Sequence, residues 1–392
     1  MRERSGAETV LLKACSTLDP REWDPDLGLL AALDDDDWRR VEAAAGRYGV
    51  VGLVARGLAW AEERGGPRAP ILHALSDRRR RRLELQLTRR AALGELVLRL
   101  DQAGVEFVLF KGFVLAEEVY GDLSARGFGD CDVLVRPEAV EAAMRTLAAL
   151  DYHPGAPGSV EAAMAAGDHG LPMKRRGAAT VDLHWALGDH FPVAVTDRVW
   201  AEVVAAPADN GLGRLRLSPE LTLLQLGAHY CHHDFEALKP LADFYIAATR
   251  LADRIRPDRL RALAASLGLG AVLELTAQLC RRRFRPRPQI DRLCAGRPSR
   301  AVRFALGWLA RDDLLREPSH LRRWQASARR RLLLEGLPAF AAWSGSWLAP
   351  SRGRLAEAFG TPFRWTLYPR YYAIQARRVL SRSPKAFKDF VR

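Results

Sequence analysis

The feature that most constrains the fold is the segment RGFGDCDVLV (126–135), in which two aspartates stand directly before an apolar run. The run Val133–Val135 has the composition of a buried strand. An ionised carboxylate is costly to bury unless it pairs with a cation or binds a metal. Side chains at i and i+2 of a strand share one face, so Asp130 and Asp132 should project together. The segment therefore predicts a strand that begins at a cation-binding site.

Length and composition indicate an ordinary globular protein. The chain has 392 residues, of which 48% are hydrophobic and 27% are charged, enough for two or three domains. No apolar run reaches the roughly 18 residues of a membrane span, and the N-terminal MRERSGAETV lacks the apolar core of a signal peptide. Five scattered cysteines without a CxxC pair are typical of free thiols in a reducing compartment. These features predict a cytoplasmic protein without a membrane span.

The net charge of +13 raises the question of an anionic partner. A basic chain attracts nucleic acid, nucleotides or anionic lipid, but a GC-rich genome also favours arginine codons. The run Arg78–Arg82 is interpreted as the solvated face of a helix, with a phosphate or RNA contact as the lesser alternative. Binding to nucleic acid is thus possible but not favoured.

The pattern of elements divides the chain into three parts. Residues 1–90 are predicted to be helical, and Asp34–Asp37 should cap a helix that begins near Trp38. Residues 91–217 alternate strands and helices, and residues 218–392 are predicted to be helical again. The predicted strands are 105–110, 130–135, 180–185 and 214–218, and the predicted helices between them are 112–120 and 137–150. We therefore expect an α+β fold, with a small mixed β-sheet core flanked by mostly helical N- and C-terminal regions.

A third carboxylate lies in the predicted strand TVDLHW. Alternation should turn Val181 and Leu183 towards the core and turn Asp182 and His184 towards the same side as the paired aspartates. Two aspartates on one strand and a third on a neighbour suit a two-metal phosphoryl-transfer site, and carboxylate oxygens favour Mg²⁺ or Mn²⁺ over zinc. The predicted catalytic and metal-binding residues are Asp130, Asp132 and Asp182. The alternatives are a strand-end cap for the first two and a structural arginine pair for the third.

A phosphate-binding turn is predicted between the first strand and the helix that follows it. Glycine at position 112 lets backbone N–H groups approach a phosphate at a helix N-terminus, and Lys111 supplies a cation beside it. Arg126, next to Gly127 and close to Gly129, could reach a phosphate with its guanidinium. Lys111, Gly112, Arg126 and Gly129 are thus the predicted nucleotide-binding residues. Lys111 as a surface lysine and Arg126 as a surface salt-bridge partner are the alternatives.

At these segments the sequence resembles a known family. FVLFKGFVLAEEVYGDLSARGFGDCDVLV, followed by TVDLHW, is similar to the uncharacterised bacterial nucleotidyltransferase-like family of the DNA polymerase β-like nucleotidyltransferase superfamily. The resemblance covers about residues 85–250. It implies a mixed sheet with a DxD motif, a third carboxylate on a later strand, and Mg²⁺-dependent nucleotidyl transfer from an NTP. The superfamily usually has Gly-Ser or Gly-Gly where this chain has Lys111-Gly112, and its gap to the DxD is shorter.

The function expected from these features is enzymatic. A Mg²⁺-dependent nucleotidyltransferase would move an NMP group from an NTP to a hydroxyl or phosphate acceptor on a small molecule, sugar or peptide natural product. One alternative is a toxin-like nucleotidyltransferase that acts on tRNA, and the other is a nucleotide-binding or scaffold protein without turnover. The sequence leaves the acceptor and the oligomeric state open.

Two further segments are interpreted as structural. His229, His232 and His233 share one face of a predicted helix, but the segment has no HExxH motif and Cys231 lies off that face. A packing helix near the mouth of the site is therefore favoured over a zinc site. The basic, aromatic segment 363–380 could stack on bases or lie on a membrane, and a packing helix is favoured there too.

Overall fold

The computed structural model of the chain describes residues 5–17, 27–155, 160–165, 168–188, 191, 193–206, 211–233, 235–294 and 296–309, with Thr366 and Pro369. The chain divides into two compact units, Met1–Leu315 and Arg316–Arg392, and all the helices and strands given below lie in the first. Apart from Thr366 and Pro369, the C-terminal basic, aromatic segment predicted to be a packing helix lies outside the described residues.

A five-stranded mixed sheet lies at the centre of the first unit. Its strands are β1 (Phe107–Phe110), β2 (Asp130–Val135), β3 (His153–Pro154), β4 (Gly170–Lys174) and β5 (Thr180–His184). In the order β1-β2-β5-β4-β3, β2 and β5 are parallel and the other neighbours are antiparallel. The predicted α+β fold with a small mixed sheet is confirmed.

The helices described before the sheet are α1 (Gly6–Cys15), α2 (Leu27–Ala31), α3 (Asp35–Arg47), α4 (Val51–Glu63) and α5 (Leu72–Gln102). The side chain of Asp34 caps α3 by accepting a hydrogen bond of 2.8 Å from the backbone N–H of Asp37. Helix α5 ends just before Gly104, which has a φ of +67° that glycine adopts without steric cost. The helix continues through position 90, so the three-part division of the chain stays a prediction.

The other helices are α6 (Gly112–Val114), α7 (Val140–Ala149), α8 (Val160–Ala165), α9 (Thr196–Trp200), α10 (Pro219–His232), α11 (Leu238–Arg250), α12 (Pro257–Ser266), α13 (Gly270–Arg283), α14 (Pro288–Leu293) and α15 (Arg300–Leu309). A π-helical turn, Leu115–Val119, follows α6 directly. Helix α13 stops ahead of the two prolines in RRRFRPRPQ, as a proline-containing segment requires. No helix in the described ranges combines the length and apolar character that a membrane span needs. The five cysteines are all buried free thiols.

One face of the sheet is apolar because alternate residues of each strand point to it. Val133 of β2 and Val181 and Leu183 of β5 are at most 1% exposed and pack in a core with residues of α5 and α7. Each buried aliphatic side chain of this size contributes about 1.5–3 kcal/mol relative to exposure. The same alternation turns Asp132 and Asp182 to the opposite face, so the apolar core fixes where the carboxylates point.

Helix α5 holds the loop that precedes β2. Arg79 donates to the Ser124 hydroxyl (2.7 Å) and to the Asp122 carboxylate (3.1 Å). Gln86 donates to the Phe128 carbonyl (3.0 Å), and Arg89 donates to the same oxygen. The prediction that Arg78–Arg82 form a solvated helix face is therefore wrong in part, because Arg79 bonds to Ser124 and Asp122 of this loop. These two residues lie more than 40 positions from Arg79 in the sequence.

The sheet also departs from the predicted set of strands. Residues 214–218 do not join the central sheet; β7 (Leu215–Leu217) instead pairs with β6 (Val203–Ala205) in a separate antiparallel pair. Strand β4 was not predicted, because its sequence GLPMK contains a proline that cannot donate to a ladder. It is held by its antiparallel pairing with β5.

A buried ion pair joins the loop before β2 to α11. Arg126 donates through Nε and Nη2 to the two carboxylate oxygens of Asp243, each at 2.9 Å. Its Nη1 donates to the Gly112 carbonyl at 2.6 Å, and the Tyr120 hydroxyl donates to Asp243 Oδ1 at 2.7 Å. Burial opposes ionisation of Asp243, but the charge of Arg126 outweighs it and lowers the pKa of this carboxyl. The pair therefore remains charged inside the protein.

Replacement of Asp243 by asparagine should destabilise the protein strongly. Asp243→Asn leaves the buried guanidinium without its counter-charge, which costs about 3–5 kcal/mol when one partner of such a pair is removed. Urea unfolding at pH 7 would measure the change in the free energy of unfolding. Asp258→Asn is the matched control, since Asp258 is fully exposed and pairs with Arg261 on the same helix, α12. Equal unfolding midpoints for the two variants would contradict the structural role of the pair.

Candidate active site

The site is built on the pairing of β2 with β5. The parallel register places Asp132 opposite Asp182, and the antiparallel register with β1 places Asp132 opposite Phe110. Asp132 is buried, Asp182 is half-buried, and Asp130 lies exposed where β2 begins, opposite Thr180. The structure thus brings Asp132 and Asp182 together from separate segments, with Asp130 at the open end.

One group of side chains among the described residues could hold a metal ion. Asp132, Asp182 and His184 each offer a ligand atom, and these atoms all lie within 4.8 Å of one another. Asp130, predicted as a ligand, lies outside this group. His184 takes part because it is two residues after Asp182 and shares its face of the strand.

Lys111 and His184 both contact one oxygen of Asp132. Lys111 Nζ lies 3.1 Å from Asp132 Oδ1, and His184 Nε2 lies 3.1 Å from the same atom. The φ of Lys111 is +50°, in a region that L-residues rarely adopt and that strains a lysine. The backbone passes close to β2 at this turn. A Cβ at Gly112 would lie 3.0 Å from the Asp130 carbonyl oxygen, so glycine permits the close approach. The turn therefore brings both the Lys111 ammonium and the Gly112 backbone against β2.

The two paired carboxylates differ in acidity. Burial disfavours the charge of Asp132, but the Lys111 ammonium and the His184 hydrogen bond outweigh it and hold the pKa well below its usual range. Burial raises the pKa of Asp182, and the negative charges of Asp132 and Asp130 raise it further. Asp132 is therefore a fixed negative charge, whereas Asp182 takes up a proton more readily.

The donor set fits a divalent cation. Asp132 and Asp182 repel each other across the strand pair, and a cation between them would remove that repulsion. Within the described part of the chain, His184 Nδ1 is buried without a hydrogen-bond partner. The His184 ring stacks on His169, with ring centroids 5.5 Å apart and an interplanar angle of 12°. Oxygen ligands suit Mg²⁺ or Mn²⁺, and an imidazole beside them is compatible with Mn²⁺.

These residues line a cavity of about 410 Å³, within the usual range for small-molecule sites. All seven predicted site residues reach it: Lys111, Gly112, Arg126, Gly129, Asp130, Asp132 and Asp182. A Cβ at Gly129 would meet no atom within 4 Å, so this position leaves open space at the cavity wall. Arg126 lies at the wall, but its guanidinium bonds to Asp243 and Gly112. Its direct contact with a triphosphate stays a prediction.

The opposite wall comes from α10 and α11. Gln225, His229, His232, His233 and Lys239 line it. The rings of His229 and His233 meet edge to face at 4.7 Å, and Cys231 is buried away from them. The described residues contain no metal-ligating group at these histidines, and their position is that of a helix at the cavity mouth.

Sequence patterns missed part of this site. The sequence pattern did not identify Lys239 as a site residue, because a lone lysine near the start of a helix is most often exposed. Gln86 and Arg89, which hold the Phe128 carbonyl, lie in a helix that reads as polar and solvated. His169 precedes β4, the strand that carries the proline. For these residues, the position in the site depends on contacts between distant segments.

A family profile described as an uncharacterised nucleotidyltransferase matches residues 34–285, which is more than half of the chain. The chain belongs to this family. The predicted resemblance is confirmed, and the protein is a nucleotidyltransferase, an enzyme of the transferase class. The matched region includes the whole central sheet and all the cavity residues named above.

A solved structure with some similarity is that of the antibiotic-resistance factor ANT(2'')-Ia, determined in solution. It is 14% identical, with a TM-score of 0.31, and the match covers 44% of this chain and 86% of that one. No curated protein matches the chain.

The ionised state of Asp132 should appear in the pH dependence of stability. Its pKa is lower in the folded than in the unfolded chain, where it is about 3.9. The resulting stabilisation is present above about pH 4 and disappears as the pH falls through the folded pKa. We expect the free energy of unfolding of wild type, relative to Asp132→Asn, to decrease between pH 5.5 and 3. Urea unfolding in EDTA would measure it; a constant difference would contradict the assignment.

Proposed function

We propose that the protein transfers an NMP group from an NTP to a hydroxyl or phosphate acceptor in a reaction that requires Mg²⁺ or Mn²⁺. The observation that carries the proposal is the pairing of Asp132 with Asp182 in adjacent parallel strands, beside the Lys111–Gly112 turn and within one cavity. This combines a cation-binding group with a phosphate-binding turn, which is what nucleotidyl transfer needs.

Asp132 and Asp182 would hold the metal, with Asp130 available at the open end of the strand. When bound, the metal supplies positive charge to the phosphate oxygens and favours ionisation of the attacking group. The low pKa of Asp132 supports its role as a ligand, because a metal ligand must be deprotonated. The donor set, rather than any one residue, supports the choice of a hard divalent ion.

The Lys111–Gly112 turn would bind the phosphates of the NTP. Gly112 begins α6, so backbone N–H groups there are free of α-helical partners and suited to phosphate oxygens. The Lys111 ammonium is a second donor, already held next to Asp132. Gly129 supports the same role by leaving room for the ligand. Arg126 would act as a positioning residue through its bond to the Gly112 carbonyl.

Asp182 would accept the proton of the acceptor. The acceptor oxygen forms a bond to the α-phosphorus, the bond from that phosphorus to the bridging oxygen breaks, and pyrophosphate leaves with the electron pair. The raised pKa of Asp182 makes it a better base than Asp132 for the released proton.

A small molecule, sugar or peptide fits the cavity better than a folded RNA does. The arginines Arg78, Arg79, Arg80 and Arg82 already bond within the protein.

Thermal melting with nucleotides tests this proposal. A nucleotide at a hundredfold excess over its dissociation constant stabilises the folded state by about 2.7 kcal/mol. We expect at least one NTP to raise the Tm in the presence of Mg²⁺ or Mn²⁺ and not in EDTA. Asp130→Asn/Asp132→Asn should abolish this shift, and the wild type should release pyrophosphate once an acceptor is supplied.

The control is Glu138→Gln/Glu141→Gln, which removes the same number of negative charges from exposed positions just after β2. This variant should keep the metal-dependent shift. A shift that persists in the aspartate variant would move the nucleotide site away from β2. The absence of a shift with any NTP would argue for a protein that does not bind nucleotide alone.

A further inference from the structure

Among the described residues, the cavity wall formed by α10 and α11 carries a cation that has no hydrogen-bonded counter-ion. Lys111, Arg126 and Lys239 are the lysines and arginines that line the cavity. Lys111 bonds to Asp132, and Arg126 bonds to Asp243. Lys239 has no hydrogen bond or ion pair with any residue in the described ranges. Among the described residues that line the cavity, Lys239 of α11 is therefore the ammonium available to a ligand.

The surrounding residues hold Lys239 in place without neutralising it. Its Cδ lies 3.5 Å from where a Cβ of Gly49 would stand, so the aliphatic stem packs against the turn between α3 and α4. Asp243 lies one helical turn further along α11, but its oxygens already accept hydrogen bonds from Arg126 and Tyr120. The protein thus orients the ammonium without giving it a hydrogen-bonded carboxylate partner among the described residues.

The environment of Lys239 disfavours its positive charge. Burial lowers the pKa of Lys239 to about 8, and the nearby positive charge of Arg126 adds to the effect. Burial likewise lowers the pKa of His229 and of His233, so these neighbours are mainly neutral at pH 7. Lys239 is therefore the main positive charge of this wall. An anionic ligand would remove the cost of holding a half-buried ammonium unpaired.

We propose that Lys239 binds the terminal phosphates of the nucleoside triphosphate and holds the pyrophosphate that leaves. The inference rests on the proposed function and deepens it. With its α-phosphate at the carboxylates of the sheet, a triphosphate would extend its terminal phosphates through the same cavity that Lys239 lines. Asp130 is close enough to Lys239 to influence it electrostatically, which places the ammonium near the open end of the carboxylate group. As pyrophosphate departs, its growing negative charge meets a fixed ammonium.

Calorimetric titration tests the proposal with three probes in Mg²⁺ at pH 7: inorganic tripolyphosphate, the NTP that binds most tightly, and the matching NMP. Lys239→Met removes the charge and keeps most of the stem. A charge-assisted hydrogen bond contributes about 1.5–3 kcal/mol, so tripolyphosphate and NTP should bind roughly ten- to a hundredfold more weakly. Binding of the NMP should change less than twofold, and Lys239→Arg should restore part of the loss.

The matched control is Lys174→Met, which removes an exposed lysine of β4 and should leave all three affinities unchanged. The Tm of Lys239→Met should not fall, because the ammonium has no partner to lose. This distinguishes a binding defect from a folding defect.

Four results would overturn the proposal. Equal NTP affinity in wild type and Lys239→Met would remove Lys239 from the phosphate site while the proposed function stands. An equal loss for NMP and NTP would assign Lys239 to the α-phosphate or to the fold. An unchanged affinity for tripolyphosphate with a raised KM for the acceptor would assign it to the acceptor. If wild type binds neither tripolyphosphate nor any NTP, the proposed function fails, and this role fails with it.

Discussion

The buried pair of Arg126 and Asp243 is the interaction on which the cavity depends. Arg126 comes from the loop that leads into β2, and Asp243 comes from α11, so one ion pair connects the carboxylate strand to the opposite wall. The third bond of the guanidinium, to the Gly112 carbonyl, connects the Lys111–Gly112 turn to the same point. A guanidinium suits this task because its planar donors fix direction as well as charge. Sheet, turn and helix are thus set relative to one another by a single side chain.

Charge is distributed unequally within the cavity, and the inequality suits a reaction between anions. The sheet supplies carboxylates, of which Asp132 is paired with the Lys111 ammonium, and α11 supplies the ammonium of Lys239. On the proposed function, a metal-bound triphosphate would interact with both kinds of charge. The difference between the acidities of Asp132 and Asp182 follows from the same layout, since Lys111 and His184 lie on Asp132 and leave Asp182 to face negative charge. Two identical side chains in register are thereby prepared for different roles.

The local sequence was sufficient to predict the fold class and the face of the sheet on which the aspartates lie, because both follow from the period-two alternation of short apolar strands. It could not give the register that pairs Asp132 with Asp182, since that depends on how two strands 50 residues apart align. From the sequence, Arg126 was predicted to be a phosphate ligand. Its partner carboxylate, Asp243, lies 117 residues later, so the local pattern could not reveal the ion pair. Strand β4 was not predicted because it contains a proline. Lys239 could not be identified as a site residue without the tertiary structure, which places α11 at the cavity. The catalytic roles of the predicted residues remain predictions.

The strained backbone of Lys111 has a consequence for the order in which ligands arrive. A position with φ of +50° is one that glycine would fill at lower cost, and here a lysine occupies it and bonds to Asp132. The ammonium is a tethered counter-ion that neutralises the carboxylate without help from solution. On the proposed function, a free metal ion would have to displace this ammonium from Asp132, whereas a metal already chelated by a nucleotide would bring phosphate oxygens to receive it. The turn would then favour joint loading of metal and nucleotide over the capture of a bare ion.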